Sequence, residues 1–343
     1  MVKFRHSYTT KDAALLPIFI LLMSLVYSFL FSLIATKVAI SSGYTTEAKL
    51  AEFMSLPWVN IINMVAGQIF ILGTFIVYSI VNGKNMANAT TIKGKIKLWQ
   101  ILVVMAMAAV CIFGFNYLIS LTNIGINKLT KIPEALVEVP AGFGGYLIVV
   151  LVFAIVPAIV EELVYRGVVF NGLKKNFSTW PAVILSSVIF TLMHFNVYQV
   201  VYQLILGVVL AIIAHYTGTI LYSMLFHLLN NFIAVTLSIY APAIFVIDPT
   251  KGWVIALILI GALIAAAAIF GLVFLLIKVC KKDPSNAEVI EEKSEQEQLL
   301  ENNAGLSEYD IRQLNPQKLK DKTWVWICLG IYVAMWIIIN FIA

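Results

Sequence analysis

Nine apolar stretches, each close to the length of a membrane span, constrain the fold of this chain more than any other feature. The chain is 61% hydrophobic and 12% charged, with a mean hydropathy of +0.93. Soluble domains carry about 25% charged residues, and a bilayer needs about 20 apolar residues per helix. We therefore predict an all-α polytopic membrane protein with about nine transmembrane helices. The predicted spans are Ala13–Ile40, Pro57–Val81, Leu98–Leu121, Gly145–Phe170, Thr179–Phe195, Gln199–His215, Thr219–Tyr240, Trp253–Val279 and Thr323–Ala343.

Lysines and arginines are distributed unevenly between the segments that join these spans. If the N-terminus is cytoplasmic, most of them fall on the cytoplasmic side, among them Lys84, Lys174 and Lys175, whereas few, such as Lys49 and Lys251, fall opposite. Cytoplasmic loops of membrane proteins carry this excess. The pattern predicts a multi-pass cell-membrane protein with a cytoplasmic N-terminus. Because it also explains the net charge of +5, we expect the bilayer and no nucleic acid as a partner.

The spans divide the chain into segments of different character. We predict an N-terminal three-span region at 1–145, a four-span core at 146–240, the eighth span within 241–280 and a final span at 323–343. Residues 281–322 hold ten of the eighteen acidic residues and almost no aromatic ones. Such a composition predicts a solvated cytoplasmic linker, with docking of a partner as the alternative.

Charged residues inside a predicted span are the strongest functional signal. Glu161, Glu162 and Arg166 lie in the fourth span, and we predict no other acidic residue within a span. A charge at the bilayer centre costs at least ~2.5–3.5 kcal/mol, so such groups are usually paired and functional. Glu162 and Arg166 are four residues apart, on one helix face, and we predict an ion pair between them. Glu161 points elsewhere and stays available as a general base, unless all three charges form a packing network without chemistry.

Two of the four histidines strengthen the functional interpretation. His194 ends the sequence FTLMH, and His227 stands one helical turn before Asn231 in HLLNN. His6 belongs to the basic N-terminus, and we expect His215 to be interfacial rather than catalytic. His194, His227 and Asn231 lie on predicted spans near the one that carries the two glutamates. The sequence therefore predicts one polar cluster within the membrane.

This cluster suits peptide hydrolysis. Glu161, aided by His194, can deprotonate a water that attacks the scissile carbonyl, while His227 and Asn231 donate hydrogen bonds to the oxyanion. Alternatively, Glu161, His194 and His227 hold Zn²⁺ and leave its fourth position to water. The residues alone are compatible with Zn²⁺ as the cofactor and with no cofactor. Pro157, one turn before Glu161, removes a backbone hydrogen bond and predicts a kinked or widened helix there.

Three short motifs resemble those of a known family. EELVYR fits EExxxR, FTLMH fits FxxxH and HLLNN fits HxxxN, in the family's order, within residues 146–236. In these motifs the chain resembles the CPBP intramembrane proteases, the CAAX proteases and bacteriocin-processing enzymes also called the Abi family. The resemblance implies a helical core of four spans around an intramembrane cavity. Some relatives cleave prenylated CAAX proteins, and prokaryotic members are more often connected with bacteriocin maturation or self-immunity. The resemblance therefore implies that this chain cleaves a peptide or a C-terminal tail.

The resemblance assigns roles to individual residues. It implies that Glu161 and His194 activate water and that His227 and Asn231 line the oxyanion site. By the same resemblance, a supporting role falls to two further residues, Glu162 and Arg166. Members of the family have been described both as metalloproteases and as glutamate-dependent proteases, so the resemblance leaves the metal open.

Two rival functions stand beside peptide hydrolysis. A non-catalytic immunity or scaffold protein would have no reason to keep the whole cluster, and a proton-coupled transporter is disfavoured because no internal repeat is evident.

Two features of the sequence do not fit the family pattern or a single site directly. Thr191 stands where relatives commonly have glycine, which predicts a local change in packing. Counted from the cytoplasmic ends at ~1.5 Å per residue, Glu161 and His227 lie ~13–17 Å deep but His194 lies ~24 Å deep. The site therefore requires a tilted or late-starting fifth span.

Overall fold

Helices make up the architecture of this protein, as seen in a computed structural model. The structure describes residues 7–90, 96–126, 142–241, 251–281 and 316–342. No strand occurs among them. The principal helices are α1 Thr10–Ser41, α2 Glu47–Ser55, α3 Pro57–Val81, α4 Leu98–Phe115, α5 Leu118–Ile126, α6 Gly142–Leu173, α7 Thr179–Leu192, α8 Val200–Thr217, α9 Ile220–Tyr240, α10 Gly252–Lys281 and α11 Pro316–Ile337.

Eight helical stretches of the described chain are long and apolar enough to cross a membrane. This confirms the predicted class, an all-α multi-pass membrane protein with close to nine spans. The predicted fifth span is the exception, because α7 has only 14 residues and ends at Leu192 instead of Phe195. At ~1.5 Å per residue it measures about 21 Å, less than the ~30 Å hydrocarbon core. The outer faces are apolar, as lipid contact requires: Val81 is 77% exposed and Phe270 is 74% exposed.

Two helices begin earlier than hydropathy predicted. α1 starts at Thr10, where the Thr9 side chain and Asp12 form a capping box, and α11 starts at Pro316, inside the predicted linker. Asp12 and Asp321 consequently lie near the starts of these two helices, just before the predicted spans. Polar capping residues begin a helix without adding to its hydropathy. Residues 282–315 of the predicted linker lie outside the described residues, and the segment's role stays a prediction.

Helix α6 lies at the centre of the helical packing. It contacts α1, α3, α7, α8 and α9, and its second half contributes Val164, Val168 and Phe170 to the main buried cluster. α8 and α9 are joined by Gly218, whose φ of +70° permits the tight reversal. The Thr219 hydroxyl then accepts a hydrogen bond from the Leu221 N–H and caps α9. The functional residues predicted from the sequence are thus carried by α6, α9 and the end of α7. The predicted division into segments stays a prediction.

Candidate active site

The helix that carries both glutamates is irregular around them. α6 contains two π-helical segments, Leu151–Ile155 and Leu163–Phe170, on either side of the regular turn Val156–Glu162. Pro157 stands at the start of that turn and cannot donate a backbone hydrogen bond. The widened first segment confirms the helix widening predicted at this proline. π-helical segments commonly mark functional sites, since the wider turn re-aims the side chains that follow it.

Glu162 and Arg166 form the ion pair predicted from their spacing. The Glu162 Oε1 lies 2.8 Å from the Arg166 Nη1, and both side chains are almost completely buried. Arg166 also donates from Nη2 to the Gly207 carbonyl at 3.4 Å, and its guanidinium lies 4.4 Å from the centre of the Phe190 ring. This paired charge therefore ties α6 to α7 and α8.

The Glu161 carboxylate faces two imidazole rings. Its Oε2 lies 3.8 Å from the His194 Nε2 and 3.8 Å from the His227 Nε2. The same oxygen is buried and has no hydrogen-bond partner among the described residues. Glu161 is thus separated from the Glu162–Arg166 ion pair, as the helix geometry predicted. A buried carboxylate oxygen without a partner is costly and calls for a ligand, a proton or a reacting water.

The position of His194 is fixed by the end of α7. The His194 Nδ1 lies 2.8 Å from the Phe190 carbonyl, which can only accept, so Nδ1 carries the proton. Its Nε2 therefore presents a lone pair to Glu161. Because α7 ends at Leu192, His194 belongs to the turn that follows the helix, and the ring reaches the level of Glu161. The 3.8 Å contact shows that the two side chains lie at the same level, and because α7 begins at Thr179 as predicted, a late start of the helix is not the reason.

His227 bridges the two glutamates. Its Nδ1 lies 3.1 Å from the Glu162 Oε1, while its Nε2 faces the Glu161 Oε2. With Glu162 held as an anion by Arg166, Nδ1 is the donor to that carboxylate. The Phe190 ring packs edge-on against both His194 and His227, with centroids 4.7 and 5.9 Å apart. The sequence indicated a role for His227 but gave no sign of its bond to Glu162.

Asn231 lies one turn beyond His227 on α9 and is partly buried. Its Oδ1 accepts a hydrogen bond from the Asn230 Nδ2 at 3.5 Å, and the Asn230 Oδ1 in turn accepts from the Tyr202 hydroxyl at 2.5 Å. Sequence reasoning missed Tyr202 and Asn230. The adjacent asparagines of HLLNN were a visible signal for Asn230, whereas the contact with Tyr202 depends on the packing of α8 against α9.

The remaining residues singled out in the sequence lie in simpler surroundings. His215, near the end of α8, is buried, with its ring edge-on to Phe170 at 6.3 Å between centroids. The Thr191 hydroxyl donates to the Ser187 carbonyl at 2.8 Å within its own helix, and the local change in packing relative to glycine stays a prediction. His6 lies outside the described residues.

A divalent metal is the cofactor that the donor types here would suit. Glu161, His194 and His227 supply a His₂Glu set, and each histidine donates through Nδ1 to a carbonyl or carboxylate, as metal-bound histidines do. Across the described part of the chain, however, no three such side chains stand close enough to hold an ion as they are placed. The donor types fit a metal, whereas the spacing does not form a closed ligand set.

The comparisons with known proteins bear on the same residues. Residues 143–233, about a quarter of the chain, match the family model described as Rce1-like, type II CAAX prenyl endopeptidase. The match spans all three motifs and confirms the resemblance found in the sequence. A search of the curated proteins and a search of the solved structures found no match. The family is one of proteases, and together with the spanning helices the match identifies residues 143–233 as an Rce1-like segment of a multi-pass membrane protein.

Proposed function

We propose that this protein is an intramembrane endopeptidase in which Glu161 and His194 activate the attacking water. The observation that carries the proposal is the buried Glu161 Oε2, which has no hydrogen-bond partner among the described residues and faces an imidazole nitrogen 3.8 Å away. A water placed about 2.8 Å from both atoms fits this separation, at ordinary hydrogen-bond lengths. One of its protons then points at the carboxylate and the other at the His194 lone pair.

The water attacks the carbonyl carbon of the scissile peptide bond as Glu161 takes its proton. The resulting tetrahedral intermediate carries a negative oxygen, and we assign its stabilisation to His227 and Asn231. We assign one of these donations to the His227 Nε2, which faces the Glu161 carboxylate at 3.8 Å. When the C–N bond breaks, Glu161 returns its proton to the leaving amine.

The supporting role belongs to Glu162 and Arg166. Glu162 orients His227 through the 3.1 Å contact with Nδ1, and Arg166 keeps Glu162 ionised within the apolar core. If the protein binds a metal, Glu161, His194 and His227 would hold it, and the metal would supply a more acidic water. We propose a peptide or C-terminal tail as the substrate, of the CAAX type or from bacteriocin processing and immunity. The substrate reaches the site from the bilayer.

Purified full-length protein in liposomes, with a fluorogenic membrane peptide, tests this proposal. Glu161→Ala, His194→Ala and His227→Ala should each lower the cleavage rate by about 10²–10⁴-fold, the range of general acid–base catalysis. Glu52→Ala removes an exposed carboxylate from α2 and serves as the matched control. Unchanged cleavage by Glu161→Ala would overturn the assignment. Loss of cleavage in a chelator, with recovery on adding Zn²⁺, would make the three side chains metal ligands, whereas full activity in the chelator would leave water activation to Glu161 and His194.

A further inference from the structure

Helix α11 lies outside the Rce1-like segment but packs against the turn that carries His194. We call residues 193–199 the His194 turn. Tyr332 is buried, and its hydroxyl contacts the Met193 sulfur and donates to the Pro17 carbonyl. Leu21, Leu192 and Tyr332 form one buried cluster, with Met193 and Phe195 packed against it. The helix thus covers the side of the turn away from the rest of the core.

Asn340 makes the most specific of these contacts. It lies in the π-helical continuation of α11, Ile338–Ile342, and is only 4% exposed. Its Oδ1 accepts a hydrogen bond from the Val197 N–H at 3.2 Å, and its Nδ2 donates to the Trp336 carbonyl at 2.9 Å. Val197 is itself buried, so its N–H would lose its hydrogen-bond partner without Asn340. One amide side chain therefore fixes the far end of the turn.

Trp336 holds the same end of the turn by packing. Its ring lies against the buried cluster formed by Ile126, Val197 and Tyr198. The cluster joins α5, the turn and α11. Hydrogen bonding by Asn340 and packing by Trp336 thus both act on Val197.

The backbone of the turn needs such support. Phe195, directly after His194, has a φ of +46°, a left-handed conformation that non-glycine residues rarely adopt. Strained residues of this kind persist only where the surrounding structure over-determines them, and they concentrate at functional sites. The strain lies between the His194 ring on one side and the α11 contacts on the other. Releasing those contacts would let Phe195 relax and carry His194 away from Glu161.

We propose that α11 positions His194 for catalysis and that Asn340 is the positioning residue through which it acts. The inference rests on the proposed function, because it assumes that His194 works at the Glu161 site. It assigns α11, which lies outside residues 143–233, a part in the activity. Asn340 forms its hydrogen bonds with Val197 and Trp336 and acts on His194 through the turn.

The test uses the full chain with Asn340→Ala and, as a matched control, Ile338→Ala, whose side chain is 43% exposed on the same π segment. Carbethoxylation of His194 by diethyl pyrocarbonate, followed by mass spectrometry, reports the position of the ring without requiring cleavage. Buried His215 is the internal reference. We expect Asn340→Ala to speed the modification of His194 several-fold and to lower kcat about 10-fold or more, as small misplacements do, with KM little changed. Ile338→Ala should change neither quantity.

The outcomes separate this inference from the proposed function. An unchanged rate of His194 modification in Asn340→Ala overturns the inference, whatever happens to cleavage. Faster modification with unchanged cleavage supports the positioning by α11 and contradicts the catalytic role of His194. Should Asn340→Ala fail to fold, Trp336→Phe, which keeps an aromatic ring but removes part of the packing on Val197, is measured in the same way. Its prediction is a smaller change in the same direction, and no change in His194 modification counts against the inference.

Discussion

Glu161 and Glu162 are adjacent in the chain, but their carboxylates have different partners. Glu162 is completely buried, and its Oε1 pairs with Arg166 and accepts a hydrogen bond from His227, while its Oε2 has no hydrogen-bond partner among the described residues. Glu161 also has an oxygen that none of the described residues bonds, but this oxygen faces two imidazoles and no guanidinium. The first arrangement stabilises an anion permanently. The second leaves the anion ready to accept a proton, which is what a general base requires.

This difference predicts opposite effects for two similar substitutions. Glu161→Gln keeps the shape of the side chain but cannot take a proton, so the cleavage rate should fall by about 10²–10⁴-fold. Its free energy of unfolding should not fall, because the exchanged oxygen has no hydrogen-bond partner to lose. Cleavage kinetics in liposomes and unfolding in mixed micelles provide the two measurements. Lower stability together with lost activity would indicate a structural role for Glu161.

Arg166→Met, in contrast, should lower the free energy of unfolding. It leaves Glu162 buried without its cation, and breaking a buried ion pair in this way costs about 3–5 kcal/mol. Arg166→Lys keeps the charge but loses the planar group that lies over Phe190 and reaches Gly207, so an intermediate loss is expected. Unfolding measured by heat or denaturant in detergent checks the order. A stability of Arg166→Met equal to the native value would show that Glu162 becomes protonated without penalty.

Residue spacing predicted part of this site and could not predict the rest. The Glu162–Arg166 pair follows from helix geometry, since partners four residues apart share a face. His227 and Glu162 are separated by 65 residues, and their contact depends on how α9 packs on α6. The same is true of Tyr202 with Asn230. Local periodicity carries no information about such contacts, whereas the motif resemblance brought His194, His227 and Asn231 together before any packing was known.

At the scale of elements, apolar composition located the helices but misplaced several ends. The apolar run continues to Phe195, but the helix ends at Leu192, because the His194 and Phe195 N–H groups bond the carbonyls three residues back instead of four. The starts of α1 and α11 were missed for the opposite reason, since their first turns are polar. An apolar composition reports burial in lipid or protein and does not report where backbone hydrogen bonding changes.

The second π-helical segment of α6, Leu163–Phe170, packs closely against the backbone of Ala89. A single added methyl group at this contact should therefore lower the stability of the protein. A Cβ on Gly167 would stand 2.3 Å from the Ala89 carbonyl oxygen, so the backbone of α6 or of Ala89 would have to move. Gly167→Ala should cost about 1–3 kcal/mol, as overpacking does, and should lower cleavage because Glu161 is carried by the same helix. Gly144→Ala is the matched control, since nothing lies within 4 Å of its Cβ. Equal thermal midpoints for the two variants would show that α6 yields at no cost.

At the scale of the molecule, a second buried polar network joins the N-terminus to the rest of the helices. Asp12 pairs with Lys84 at 2.6 Å and accepts from the Tyr78 hydroxyl at 2.8 Å. Two residues earlier, the Thr10 hydroxyl donates to the Gly172 carbonyl at 2.7 Å. The network therefore links α1, the end of α3 and the end of α6. These elements are far apart in sequence, which is why the sequence predicted neither the Asp12 pair nor its burial.

The Asp12–Lys84 pair predicts non-additive stability. Lys84→Met should cost about 3–5 kcal/mol, because it leaves Asp12 buried with only the neutral donors of Thr9 and Tyr78. Asp12→Asn should cost a similar amount, since the ammonium then loses its counter-charge. The double variant Asp12→Asn/Lys84→Met removes both charges and should be more stable than the sum of the single losses allows. Unfolding of the four proteins in detergent measures the coupling, with Lys49→Met, at an exposed position of α2, as control. Strictly additive losses would show that the pair contributes no mutual stabilisation.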